Sequence, residues 1–378
     1  MRNYETYAGP ITADIHRGDA SLVDWNADAW TDLCKRSTSD APFYRPEWIA
    51  AYLNAFEPDA DVLLAMAQSD GRLQALMPLI ARQTLFCGFP VRMLRGAGNE
   101  HSCRFDLVRV AGRRGDLAVR AIWEKLRAYG GWDLIELPYV PENGAAEGFL
   151  KEARKDGFLT GRYESYRSPY VLLPDSGGEV ALPAHFRRNL QRRLRKAREK
   201  WHVSLDHVER ADPAMLEQFF ELEAAGWKGR KRTAIACSES TRRFYGDVAL
   251  SGSKGGYFSL YLLQFGETVV AGHFGLSHQG RYYSPKVAYN EAFAEYGPGH
   301  LIVDAILKDV QARGFREFDF LGPEMDWKGE WTREGRTHSF CYIFRRGPVG
   351  QALHAARLKL LPALRRFAPL RRIVRAVS

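Results

Sequence analysis

QFGETVVAGHFGLSHQGRYYSPKVAYNEAFAEYGPGHLIVDAILKDVQARGFREFDFLGPEMDWKGEW, residues 264–331, is the stretch that decides the fold. It begins with strand-like segments joined by the turn pairs Gly266-Glu267 and Gln279-Gly280. Val269 to Leu276 and Tyr282 to Tyr289 are rich in β-branched, aromatic and small residues, as a largely buried sheet requires. Gly297-Pro298-Gly299 then opens a helix with Leu301, Ile302, Ala305, Ile306 and Val310 on one face. A strand from Glu317 to Leu321 follows and runs into the aromatic and charged loop Trp327-Lys328-Gly329-Glu330-Trp331.

Upstream, the same order recurs. Val62 to Ala67 and Leu73 to Ala81 form a hairpin pattern around Asp70-Gly71, a favoured turn pair. A helical pattern from Asp116 to Tyr129 and a strand pattern from Trp132 to Leu137 come next. Two copies of one αβ unit with mixed sheets are therefore expected. Gly177-Gly178, flanked by Pro174 and Pro183, marks the boundary. The expected organisation is an α/β chain with a first domain over residues 1–175, a second over 183–344 and a tail over 345–378.

A length of 378 residues suits two domains, and 46% hydrophobic with 26% charged residues is the composition of a soluble globular protein. The cysteines are odd in number, scattered and without a CxxC pair, so reduced and mostly buried thiols in a cytoplasmic protein are expected, and no metal site. Residues 345–378 hold nine Lys or Arg and no Asp or Glu, so the rest of the chain carries 45 of each sign. The net +9 belongs wholly to the tail. That distribution argues against DNA as a partner of the folded body.

The strand, strand, strand, Gly-turn, helix, strand order resembles that of GNAT acyltransferases. Trp327, Lys328 and Trp331 are similar to the aromatic–Lys–x–x–aromatic signature of Fem-like transferases, which are tandem GNAT proteins. FYRPEW (43–48), FRRNLQR (186–192) and EAAGWKG (223–229) resemble stretches of the CelD-like group in that family, associated with bacterial exopolysaccharide synthesis. The resemblance spans roughly residues 20 to 345. It implies two tandem GNAT-like domains with an acceptor cleft between them, and a return of the strand from His338 to Phe344 to the first domain. It also implies an N-acyltransferase that uses acetyl-CoA to modify an amino sugar or lipid-linked saccharide in exopolysaccharide or cell-envelope synthesis. Two alternatives stay open: aminoacyl transfer to a peptidoglycan precursor, and a non-catalytic module that senses an anionic ligand.

The resemblance also points to site residues. Lys328 is implied beside the reacting carbonyl, where a cation stabilises negative charge; the alternative is a surface lysine between packing tryptophans, Trp327 and Trp331. Gly297 and Gly299 stand where a donor pyrophosphate meets a helix start, although Glu295 occupies the place of an expected basic or amide residue. A turn that serves only to start the helix is the other reading. Asp106, after GAGNEHSCRF, would orient or deprotonate an acceptor amine, or else would cap a turn. His273 is a candidate base against the alternative of a satisfied core histidine, and Tyr283 is a candidate acid by analogy. Arg187, Asn189, Trp227, Lys228 and Lys286 complete the candidate substrate contacts, with Trp327 and Trp331 as a substrate wall. Arg192, Arg193, Arg195 and Lys196 read as a solvated helix face.

The tail, Arg345 to Ser378, interleaves leucines with cations, and Pro362 and Pro369 break it into short helical pieces. It is expected outside the catalytic body, holding the protein peripherally at the inner membrane surface through residues that include Arg365, Arg366, Arg371, Arg372 and Arg375. A helical tail packed on the body is the alternative. A sharper expectation gives Arg371-Arg372-x-x-Arg375 a cyclic dinucleotide to bind.

Overall fold

A computed structural model describes residues 9–175 and 178–366. The chain divides into two compact units. Of the described residues, unit 1 comprises 9–53, 57–165 and 337–366, and unit 2 comprises 54–56, 166–175 and 178–336. The change of unit occurs at Ser165/Tyr166, within a strand, and not in the Gly177-Gly178 stretch.

Unit 1 is built from β1 (Thr12–Gly18), α1 (Ala27–Arg36), most of α2 (Pro46–Phe56), β2 (Asp61–Ser69), β3 (Arg72–Phe86), β4 (Phe89–Gly96), β5 (Val108–Arg109), α3 (Gly112–Tyr129), β6 (Leu134–Pro141), α4 (Ala146–Lys155) and the first part of β7 (Leu159–Leu172). Unit 2 continues with α5 (Ala184–Arg198), β8 (Val203–Val208), α6 (Pro213–Ala225), α7 (Glu239–Gly255), β9 (Phe258–Phe265), β10 (Thr268–His278), β11 (Arg281–Tyr289), α8 (Pro298–Ala312) and β12 (Glu317–Asp319). β13 (Gly335–Phe344) and α9 (Pro348–Ala355) return the chain to unit 1.

The two units repeat one plan. In unit 1 the strands run β1-β2-β3-β4-β6-β13, antiparallel except for the parallel pair β4/β6. In unit 2 the order β8-β9-β10-β11-β12 ends on the last residues of β7, and only β11/β12 is parallel. The helix preceding each parallel partner, α3 or α8, supplies the crossover that a parallel pair requires. Ala118, Val119, Ile122, Trp123 and Leu126 of α3 enter the unit 1 core at helical spacing. Leu301, Ile302, Ile306, Leu307 and Val310 of α8 do the same in unit 2. Each sheet is completed by a strand from the other side of the chain, β13 beside β6 and β7 beside β12. β13 pairs with β6 from His338↔Pro141 to Phe344↔Leu134.

The basic segment is not wholly free. Leu353 of α9 is only 1% exposed and belongs to an apolar cluster with Phe86, Val91, Tyr342 and Phe344. Arg357 donates to the Tyr342 hydroxyl at 3.0 Å and lies 4.5 Å over the Tyr163 ring. Residues up to Leu361 therefore pack on unit 1, because the leucines find an apolar seat and the guanidinium an aromatic one. Arg365 and Arg366 fall in the last described helical turn. Arg371, Arg372 and Arg375 lie outside the described residues. Among the described residues no helix is long and apolar enough to cross a membrane.

Candidate active site

Unit 2 opens where its parallel strands part. β11 and β12 pair only over Arg281↔Glu317, Tyr282↔Phe318 and Tyr283↔Asp319. Beyond that point Leu321 (φ +50°) and Gly322 (φ +60°) turn the chain away from β11. Asp319, wholly buried, accepts the Leu321 N–H at 2.9 Å and a hydrogen bond from Nη1 of Arg336, also at 2.9 Å. Arg336 also donates to both oxygens of Glu317, at 3.1 and 3.3 Å. This carboxylate–guanidinium frame holds the turn that carries Lys328.

Lys328 is 5% exposed, so it is no surface lysine. Its Nζ donates to the carbonyl oxygens of Leu321 at 2.6 Å and Pro323 at 2.9 Å, and lies 5.8 Å from the Trp327 ring centre. Both of these acceptors are neutral carbonyls. An ammonium there can stabilise an oxyanion that develops beside it.

The start of α8 lies against the same aromatic wall. His300, in its first turn, has its ring centre 6.4 Å from that of Trp327 and 6.0 Å from that of Trp331, and Trp331 meets Phe186 edge-on at 5.0 Å. Trp331 Nε1 and His300 Nδ1 are buried without a hydrogen-bond partner in the structure. Burial lowers the His300 pKa against the pull of Glu330, whose carboxylate lies 3.3 Å from Nε2, and nearby Arg193 lowers it further. Gly297 adopts φ +61° as the residue before the helix. A Cβ there would lie 2.4 Å from Nη1 of Arg193, so a side chain at this position would both strain the backbone and displace the guanidinium. Arg193 has no carboxylate partner among the described residues. Glu295 pairs with Lys196 instead.

Arg193 was unreadable from the sequence, where it looks like one more cation on a solvated face. The packing of α5 beside α8 places it over the helix start. A guanidinium facing the positive end of a helix is unfavourable unless an anion lies between them. The residues present thus fit a phosphate group at Gly297 and Gly299. A Cβ at Gly299 would approach the Tyr289 ring to 3.2 Å.

Other candidates have structural partners. His273 is buried, with Nδ1 2.9 Å from the Tyr282 hydroxyl and Nε2 2.9 Å from the Ser284 hydroxyl. Burial lowers its pKa to about 3, so it is a neutral core group and not a base poised near neutrality. The unfolded chain binds a proton near the ordinary pKa of about 6.5 and the folded chain does not. Stability is therefore expected to fall as pH drops from about 6.5 toward 3, by up to about 1.4 kcal/mol per pH unit. Urea unfolding of wild type and His273→Gln between pH 7.5 and 5 checks this, roughly the window where the effect begins. The variant should show a flatter pH dependence, and identical slopes would remove His273 as the cause.

Lys228 donates to Glu223 at 2.7 Å and to the Val287 carbonyl at 2.8 Å, and Glu223 also accepts the Ile235 N–H at 2.8 Å. This pair ties the loop after α6 to β11, and Trp227 beside it remains partly exposed. Arg187 pairs with Glu179 and donates to the Val180 carbonyl at 3.0 Å, while Asn189 accepts from Arg192. Tyr283 is buried opposite Asp319, and Lys286 lies 5.2 Å over the Tyr245 ring. In unit 1, Asp106 accepts N–H groups from Leu107, Ala145 and Ala146 at 2.7–2.9 Å. It caps α4 from a distant loop, and burial pushes its carboxyl up to about 7 against the pull of those donors. Its side chain is committed to backbone, which removes it as an acceptor base. Among the described residues no group of His, Cys, Asp or Glu is arranged to hold a metal.

Residues 184–329 match the family model described as acetyltransferase (GNAT) domain. That stretch of unit 2 is similar to a GNAT acetyltransferase domain. Solved structures share the fold over nearly the whole chain. FemX aligns with a TM-score of 0.57 at 12% identity, over 91% of this chain and 99% of that one. The C-terminal domain (DUF2156) of a protein assigned as lysylphosphatidylglycerol synthetase from Agrobacterium fabrum gives 0.52 at 13%, over 88% and 96%. L-PGS from Bacillus licheniformis gives 0.51 at 12%, over 88% and 96%. A comparison with curated proteins returned no match. The GNAT match supports an N-acyltransferase, and the tandem plan of the two GNAT-like units agrees with the order of elements expected from the sequence.

Proposed function

We propose that the protein transfers an acetyl group from acetyl-CoA to the amine of an amino sugar, free or on a lipid-linked saccharide, in exopolysaccharide or cell-envelope synthesis. The observation that carries the donor half of this reading is Arg193 over Gly297. A guanidinium with no carboxylate partner among the described residues converges there with a helix start, as a pyrophosphate requires. Acetyl-CoA would supply an activated thioester. Arg193 and the α8 backbone would bind its phosphates, the wall of Trp327, Trp331 and His300 would exclude water, and Lys328 would balance charge on the carbonyl oxygen as the amine adds. The saccharide acceptor rests on the likeness to CelD-like proteins. The basic C-terminal segment supports a peripheral membrane location.

A second reading, aminoacyl transfer, draws on the fold shared with FemX and with the lysylphosphatidylglycerol synthetase domain. Glu295, placed where a cation would help acyl-CoA, favours it. Calorimetric titration separates the two. Wild type is expected to bind acetyl-CoA and Arg193→Ala to bind it about tenfold more weakly or worse, the loss of one charge-assisted contact. No heat with wild type would reject acetyl-CoA as donor, and equal affinities would remove Arg193 from the donor site.

A further inference from the structure

β3 and β4 form a second hairpin that extends the β2/β3 meander. Phe86 pairs with Phe89 across the two-residue turn Cys87-Gly88, where both residues have positive φ, +52° and +82°. That is the turn type matched to strand twist. Its tip is apolar on both faces and open: Leu85, opposite Pro90, is 70% exposed, and Phe89, opposite the buried Phe86, is 51% exposed. Large apolar side chains at a hairpin tip gain nothing in an isolated soluble unit.

The tip shares its end of unit 1 with the basic segment. Phe86 and Val91 of the hairpin lie in one apolar cluster with Leu353, and Cys87 and Leu358 pack against it. Arg357 is close enough to pull down the Cys87 thiol, although burial holds that thiol above its ordinary value. On the outer side of the same helical segment Leu360 and Leu364, one turn apart, are exposed, as are Val349 and Lys359. The 348–366 segment holds Arg357, Lys359, Arg365 and Arg366 and no acid, and the sequence from 345 to 378 has nine Lys or Arg and no Asp or Glu.

We infer that the Leu85–Phe89 hairpin tip and the outer face of the 348–366 segment form one docking surface for an anionic lipid bilayer, the hairpin inserting as an apolar wedge while the cations hold the headgroups. This deepens the peripheral-membrane part of the proposed function and rests on it. Charge decides the occupant. A face that joins exposed Leu and Phe to a segment of one sign complements anionic headgroups over acyl chains. A second copy would bring the same positive charge against itself.

The test is co-sedimentation of the full chain with vesicles of equimolar phosphatidylglycerol and phosphatidylcholine, against phosphatidylcholine alone. Leu85→Ser/Phe89→Ser leaves every cation in place and is expected to partition about tenfold less. Phe89→Trp is expected to add a blue-shifted component to the emission of wild type when anionic vesicles are present, and none with phosphatidylcholine. Wild-type binding that the double variant retains in full, or Phe89→Trp emission that does not shift, overturns the hairpin wedge and leaves the tail as the sole anchor. No wild-type binding overturns the membrane reading itself while leaving the acetyl-CoA titration to judge the chemistry. Self-association in buffer that the double variant abolishes would make the patch a contact between copies and overturn the inference.

Discussion

Lys328→Met is expected to lower kcat by about 10²–10³, with KM for the donor little changed. The range is that measured for removal of one oxyanion-hole donor, about 2.7–4 kcal/mol. Methionine keeps the stem that passes Trp327 and removes the ammonium. The Leu321 and Pro323 carbonyls lose their 2.6 and 2.9 Å donor, so unit 2 should also lose about 1–3 kcal/mol of stability. The two effects are separable. Thiol release from acetyl-CoA with an amino-sugar acceptor reads the chemistry, and urea unfolding reads the turn. A folded variant with wild-type kcat would show that the ammonium serves the turn alone.

Asp319→Ala is expected to destabilise unit 2 by about 3–5 kcal/mol, as for other buried ion pairs that lose one partner. Its carboxylate takes Arg336, the Leu321 N–H and, at 3.4 Å, the Ser168 hydroxyl in a site without solvent. Glu317 keeps part of the guanidinium paired, which places the expectation toward the lower end. Leu321 is held by Asp319 through its N–H and gives its carbonyl to Lys328, so the substitution should also lower kcat in protein that remains folded. Asp319→Asn, which keeps shape and one acceptor, should fall between the two. An unchanged urea midpoint for Asp319→Ala would mean that the frame around Arg336 does not hold this turn.

Much of the fold was legible because it is decided locally. Asp70, Gly71 and Gly280 have the positive φ values their residue types favour, so the hairpins could be read directly, and Gln279 enters the same turn as Gly280 at φ +47°. The apolar stripe of α8 and its Gly-Pro start needed only helical spacing. The recurrence of strand, helix and strand pointed to two similar units. The packed part of the C-terminal segment was read as free because leucines and arginines at helical spacing suit a membrane surface and a protein surface equally. The seat for Leu353 is built from strands more than two hundred residues earlier and from β13.

The candidate site divides along the same line. Lys328 and its flanking tryptophans stand in one short motif, and sequence sufficed to single them out. What Lys328 touches depends on how Leu321 and Pro323 fold back. His273 and Asp106 were ambiguous in sequence, since a polar residue in a strand or loop is defined by its partners. Tyr282 and Ser284 from β11, and the N–H groups that open α4, decided both. Arg193 is the clearest case. Its neighbours in the chain are other cations, and nothing in their spacing distinguishes it. Only the packing of α5 on α8 sets its guanidinium over Gly297, because electrostatic role depends on distance through space, and that distance exists only once the tertiary structure has formed.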